Sequence, residues 1–235
     1  MGKNVPFFVS EEGVTLLGGG SLSPDDLATA LSFAPRLVAA DGGAATALAA
    51  GHMPEAVYGD MDSLTDAARA QIPPERIHAI PEQQSTDFDK ALRHIRAPVV
   101  LAAGFTGARV DHALAVYHGL AARSDRRCVV LGERDVILHA PPRLVLDLPA
   151  DARVSLFPLV AVTGRSQGLE WPIDGLALDP MGRIGTSNRS TGGAVELGFD
   201  RPGMLVILPR AHLATVLEAV AKASVWPRPG PAASL

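Results

Sequence analysis

The chain has 235 residues, 47% apolar and 20% charged, with a formal net charge of −4. That is enough apolar material for a packed core in one large or two modest domains, and the acidic balance disfavours a surface built for nucleic-acid phosphates or anionic lipid. Apolar runs broken well short of a membrane span, and a first ten residues without a signal-peptide layout, make a cytoplasmic location the expectation.

Val14 to Leu17 reads as a strand ending in Gly18-Gly19-Gly20. Ser23 then caps a helix with Pro24 at its first position and Asp25 and Asp26 in its first turn. Arg36 to Ala40 is the next strand; it ends in Asp41-Gly42-Gly43 and is followed by the alanine-rich helix Ala44 to Ala50, which stops at Gly51. Ala56 to Tyr58 leads into the acidic turn Gly59-Asp60-Met61-Asp62-Ser63. Arg76 to Ile80 is a further short strand, Thr86 begins a helix, and Pro98 to Ala103 runs into Gly104-Phe105-Thr106-Gly107-Ala108-Arg109 before a helix near Asp111. Strands Arg127 to Leu131 and Asp135 to His139 close this half. Cys128, the only cysteine, reads as a small buried strand residue, which excludes an internal disulfide or a thiolate zinc site. Alternating strands and helices predict a parallel sheet covered by helices over residues 1–140.

From Ala140-Pro141-Pro142-Arg143 onward the pattern changes to short alternating runs with frequent Gly and Pro. Leu144 to Leu148, Arg153 to Pro158, Gly168 to Trp171, Gly193 to Phe199 and Met204 to Leu208 read as antiparallel strands, so residues 141–235 are expected to form an all-β sandwich or barrel. Ala211 to Ala223 reads as a closing helix, and Pro227 to Pro231 as a mobile tail.

In open α/β sheets ligands sit beyond the carboxyl ends of the strands, where these Asp- and Gly-bearing turns fall. Asp60 and Asp62, two apart at a strand end, project to one side as oxygen ligands for a hard cation would; they fit equally a turn former and a capper, with Ser63 capping the following helix. Asp41-Gly42-Gly43 alone is an ordinary turn. Phe88, Leu92 and Ile95 face the core, leaving Asp87, Lys90 and His94 on another face, either as part of a site or as a solvated ion pair. Arg109 suits a phosphate and Asp111 a cation or hydroxyl; the same two residues suit an N-cap and its exposed partner. GxxxxGK[ST] does not occur, and the seven histidines show no metal-ligand spacing. Acidic turns at successive strand ends match magnesium-assisted phosphoryl chemistry better than hydride transfer.

In order, Ala40-Asp41-Gly42-Gly43, Gly59-Asp60-Met61-Asp62-Ser63, Ser85-Thr86-Asp87 with Lys90-Ala91-Leu92, and Gly107-Ala108-Arg109-Val110-Asp111-His112 resemble the motifs of the thiamine pyrophosphokinases, joined by Gly168-Leu169-Glu170-Trp171-Pro172 and Gly185-Thr186-Ser187-Asn188. The resemblance implies a Rossmann-like, three-layer α/β nucleotide domain followed by a β-sandwich, paired as a homodimer, and transfer of diphosphate from ATP to thiamine with release of AMP. It implies that Asp41, Asp60, Asp62, Asp87 and Asp111 form the magnesium and triphosphate cluster, with Asp60, Asp62, Asp87 and Asp111 as metal ligands. Arg109 and Lys90 would contact phosphates, Gly42, Gly43, Ser63 and Thr86 would face the nucleotide, and Trp171, Thr186, Ser187 and Asn188 would line the thiamine side. Gln84 stands where many members carry an acidic residue, and Ala108 where many bacterial members carry glycine. A magnesium-dependent kinase releasing ADP and a non-catalytic nucleotide or thiamine sensor are the alternatives.

Overall fold

A computed structural model describes residues 5–107 and 109–227. The mobile tail expected at Pro227 to Pro231 therefore lies, from Arg228 on, outside the described residues, as does Ala108. The chain is mixed α/β and divides into two compact units: residues 1–119 with 130–132, and residues 120–129 with 133–235.

The first unit runs β1 (Phe8–Val9), β2 (Val14–Leu17), α1 (Pro24–Phe33), β3 (Arg36–Ala40), α2 (Gly43–Ala49), β4 (Ala56–Gly59), α3 (Asp66–Arg69), β5 (Ile77–Ala79), α4 (Asp87–Arg93), β6 (Ile95–Arg96), β7 (Val100–Ala103) and most of α5 (Val110–Ala122), whose last three residues fall in the second. Helix α1 starts as its sequence demands: Ser23 accepts the Asp26 N–H, and the Asp26 carboxylate accepts the Ser23 N–H in return. Strands β2 and β7 pair in parallel, as do β3, β4 and β5. Residues in β2, β4 and β7 are buried throughout, which is why their apolar runs are continuous rather than alternating. Because the strands are parallel, the turns after β2, β3, β4 and β7 emerge at their carboxyl ends. The cap of α3 is Thr65, whose hydroxyl accepts the Ala68 N–H, and Ser63 is left free of the capping role expected for it.

Strand β8 (Cys128–Leu131) spans the division, and Cys128 is a buried free thiol as its sequence context suggests. The second unit contains β9 (Asp135–His139), β10 (Arg143–Leu148), β11 (Arg153–Pro158), β12 (Val162–Gln167), β13 (Ala177–Leu178), β14 (Gly185–Arg189), β15 (Gly193–Phe199), β16 (Met204–Pro209) and α6 (Leu213–Lys222). Strands β9, β16, β11 and β14 pair antiparallel in that order, and β10, β15, β12 and β13 do likewise. The strand expected at Gly168 to Trp171 is instead a bend that keeps a single antiparallel bridge, Leu169 to Ser190; Gly168 takes φ +75° against the Ala194 carbonyl, where a Cβ has no room. The strand is the polar run Val162–Gln167 just before it, half exposed and so without an apolar signature. A 3₁₀ turn at Arg210–His212 replaces the first residues of the expected closing helix.

One consequence of this unit is measurable. His139 ends β9 with Nε2 accepting the Gly203 N–H at 2.8 Å, which fixes the neutral ring. Burial pushes its pKa down to about 4 from an ordinary 6.5. The unfolded chain takes up this proton near pH 6.5 and the folded chain only near 4, so stability from this group is complete above 6.5 and is lost as pH falls through that window. Urea unfolding at pH 7 and pH 4 is expected to show His139→Gln losing up to about 3 kcal/mol less than the unmodified protein. Equal losses in the two proteins would refute it.

Candidate active site

Three elements of the first unit present carboxylates to one point. Asp41 leaves β3 in a left-handed conformation, φ 39°, which aspartate tolerates better than most residues. Its side chain is buried; Oδ2 accepts the Ser63 N–H at 3.1 Å, and the buried Oδ1 has no partner among the described residues. Burial, with smaller contributions from Asp62 and Asp87, raises its pKa to about 6 against the lowering effect of the Ser63 amide.

Asp60 follows β4. Its Oδ2 accepts from Lys90 Nζ at 2.7 Å and from Gln83 Nε2 at 3.2 Å, and its Oδ1 accepts the Asp62 N–H at 3.4 Å. The Lys90 hydrogen bond holds this carboxyl below the usual range. The next residue, Met61, has φ +70° yet buries its side chain among Ala39, Ala44, Val57 and Leu64. That anchorage offsets backbone strain of about 1–3 kcal/mol and fixes the turn. Asp62 itself accepts the Ser63 hydroxyl at 3.0 Å.

Asp87 is the first residue of α4, placed there by Thr86, whose hydroxyl accepts the Asp89 N–H at 3.3 Å. Lys90, one turn on, reaches Asp87 Oδ1 at 3.2 Å as well as Asp60, and is only 1% exposed. Burial alone would lower its pKa, but the two carboxylates outweigh it and raise it. A solvated helical ion pair is therefore excluded. Carboxylate oxygens of Asp41, Asp60 and Asp87 lie within 4.8 Å of one another. Hard oxygen donors converging beside an unpartnered buried oxygen fit a small divalent cation.

Glycines make this convergence possible. A Cβ on Gly59 would stand 2.7 Å from the Asp41 Cβ and 3.2 Å from Asp87 Oδ1. Gly43 lies against the Leu17 carbonyl where no Cβ fits, and Gly42 packs on Ser63. Gly59→Ala is expected to cost about 1–3 kcal/mol in urea unfolding and to weaken Mn²⁺ binding at least several-fold; unchanged stability and binding would show that the three carboxylates tolerate being spread.

The other expected site residues lie elsewhere. Arg109 and Asp111 pair with each other through contacts of 3.2 and 2.5 Å, each about two-thirds exposed, and Asp111 is outside the three-carboxylate group. In the second unit, Thr186 and Ser187 are exposed on β14. Asn188 is buried and engaged: Nδ2 donates to the Trp171 carbonyl at 2.7 Å, and Oδ1 accepts the Trp171 N–H at 3.2 Å and the Arg189 N–H at 2.8 Å. It holds the main chain of Trp171, whose ring is half exposed beneath the Arg189 guanidinium at 5.1 Å. Gln83, bound to Asp60, was not singled out by sequence; an isolated glutamine in a loop carries no signal of its own.

No curated protein matches the chain. Among solved structures, thiamin pyrophosphokinase from Geobacillus thermodenitrificans superposes with a TM-score of 0.67 at 23% identity, covering 86% of this chain and 97% of its own. The Candida albicans enzyme gives 0.69 at 14% (86% and 93%), and the yeast enzyme 0.68 at 16% (92% and 94%). At these identities the likeness establishes the fold. Residues 27–131, which hold Asp41, Asp60, Asp87 and Lys90, match the model of the thiamin pyrophosphokinase catalytic domain. Residues 27–131 are thus similar to the catalytic domain of the thiamin pyrophosphokinases.

Proposed function

We propose that the protein is a thiamine diphosphokinase that transfers the diphosphate group of ATP to the hydroxyethyl oxygen of thiamine and releases AMP. The observation that carries this reading is the Asp41, Asp60 and Asp87 cluster inside the region that matches the catalytic domain. A magnesium ion held there would offset charge on the phosphate oxygens. Asp41, Asp60 and Asp87 would present oxygens to it, and Asp62 and Asp111 would complete the acidic set.

Gly42, Gly43, Ser63 and Thr86 border the nucleotide, and the exposed Arg109 guanidinium is available to triphosphate oxygens. The thiamine oxygen bonds to the β-phosphorus as the bond from that phosphorus to the α,β-bridging oxygen breaks, and AMP departs with the bridging oxygen. The hydroxyl proton passes to a carboxylate, Asp62 or Asp111. Positioning and charge supply the rate, without a covalent enzyme intermediate. Trp171, Thr186 and Ser187 line the thiamine side, with Asn188 holding Trp171 in place. Residues 1–140 would then act as a Rossmann-like, three-layer ATP and magnesium domain and residues 141–235 as a thiamine-binding, dimer-forming β-sandwich, in a cytoplasmic homodimer. Among the described residues no helix is long and apolar enough to cross a membrane.

Incubation with ATP, Mg²⁺ and thiamine, with the products resolved chromatographically, tests this reading. Thiamine-dependent AMP together with thiamine diphosphate is expected. ADP as the nucleotide product, or no thiamine-dependent turnover, would overturn it.

A further inference from the structure

Between Pro81 and helix α4 the chain must place two site residues, Gln83 against Asp60 and Asp87 at the helix start. No main-chain to main-chain hydrogen bond involves residues 82–85 among those described outside helices and strands. One side chain does the holding. Glu82 Oε2 accepts the Gln84 N–H at 2.8 Å and the Ser85 N–H at 3.1 Å; Oε1 accepts the Ser85 hydroxyl and Arg93 Nη2, the latter at 2.9 Å. Arg93 lies in the last turn of α4 and also approaches Asp89 at 3.7 Å. One carboxylate thus fastens the entry loop to the far end of the helix that begins with Asp87.

We propose that Glu82, clasped by Arg93, is a positioning residue for the divalent-cation site, setting the places of Gln83 and Asp87 opposite Asp60 without touching the cation itself. This rests on the metal reading above. Groups one layer behind metal ligands commonly matter by 10–100-fold in affinity, because they fix ligand orientation before the ion arrives. Glu82 is suited to that task. It stays ionised, since its donors hold its carboxyl down at about 2 against the cost of burial. Its four contacts leave the loop little freedom between residues 82 and 86.

The test is Mn²⁺ binding to the metal-free full-length protein, read by electron paramagnetic resonance alongside thermal unfolding without metal. Glu82→Gln is expected to weaken binding about tenfold. Arg93→Gln is expected to do the same, the double variant no more than either, and Arg93→Lys to restore at least half of the loss on a logarithmic scale. Arg143→Gln, which breaks an exposed Arg143–Glu196 pair in the other unit, sets the value for a purely peripheral ion pair and should leave binding within twofold. Binding in Glu82→Gln that stays within twofold of the unmodified protein overturns the proposal; if that variant does not fold, unchanged binding in Arg93→Gln does so. Additive losses in the double variant also overturn the clasp. If the unmodified protein shows no Mn²⁺ binding that Asp60→Asn removes, the metal reading itself falls and the proposal with it, an outcome distinct from intact, Asp60-dependent binding that ignores Glu82.

Discussion

Asp60→Asn is expected to lower thiamine-dependent AMP formation by roughly a thousandfold while leaving the protein folded. The amide keeps the shape of the carboxylate and one acceptor oxygen, so the Asp62 N–H or the Lys90 ammonium still finds a partner. What it removes is charge at the centre of the cluster, where Asp60 is mostly buried and held ionised by Lys90. The loss should fall on turnover rather than on thiamine affinity, because thiamine contacts are assigned to the other unit. Turnover should not recover at higher pH, since no titrating group is restored. Circular dichroism and urea unfolding report the fold, and a product assay reports turnover. A folded Asp60→Asn protein retaining more than a tenth of the activity would remove Asp60 from the metal site.

The alternation of strands and helices was legible because parallel strands buried on both faces must be apolar without interruption, as Val14–Leu17, Val100–Ala103 and Cys128–Leu131 are. Helix starts were legible where a short polar side chain closes on its own backbone, at Ser23 and Thr86. Strand Val162–Gln167 was hidden because its polar residues are half exposed, while the neighbouring Gly168-Leu169-Glu170-Trp171 imitates a strand and is bent by one left-handed glycine. In the site, sequence spacing put Asp87 and Lys90 on one helical face, but nothing local tells what covers that face. The turn after β4 covers its Lys90, 30 residues away from Asp60, and turns an apparent surface lysine into a buried one. Asp41 looked like an ordinary turn residue for the same reason: its burial depends on Gly59 of the next strand lacking a Cβ. Arg109 and Asp111 pair with each other, as their spacing of two allows, and stay outside the three-carboxylate group.

Lys90→Met tests whether the cluster is assembled before any cation arrives. In the metal-free protein Lys90 is the positive charge bridging Asp60 and Asp87, at 2.7 and 3.2 Å. With the Asp60 pKa lowered from 3.8 and that of Lys90 raised from 10.5, this bridge is fully present between those two values. It weakens as pH falls below the first or rises above the second. Methionine fills most of the lysine volume but leaves Asp60 uncompensated, and removing one partner of a buried pair is costly even where the pair itself contributes little. Asp87 is about a third exposed, which tempers the cost. The expected loss is about 2–4 kcal/mol at pH 7 in urea unfolding without metal. Because the carboxylates then repel one another more strongly, millimolar Mn²⁺ should raise the unfolding temperature of Lys90→Met by more than it raises that of the unmodified protein, as binding to the folded state alone requires. A lysine engaged only with triphosphate predicts the reverse pattern: unchanged stability without ligand and an equal response to Mn²⁺. Those results would return Lys90 to the role of a phosphate contact.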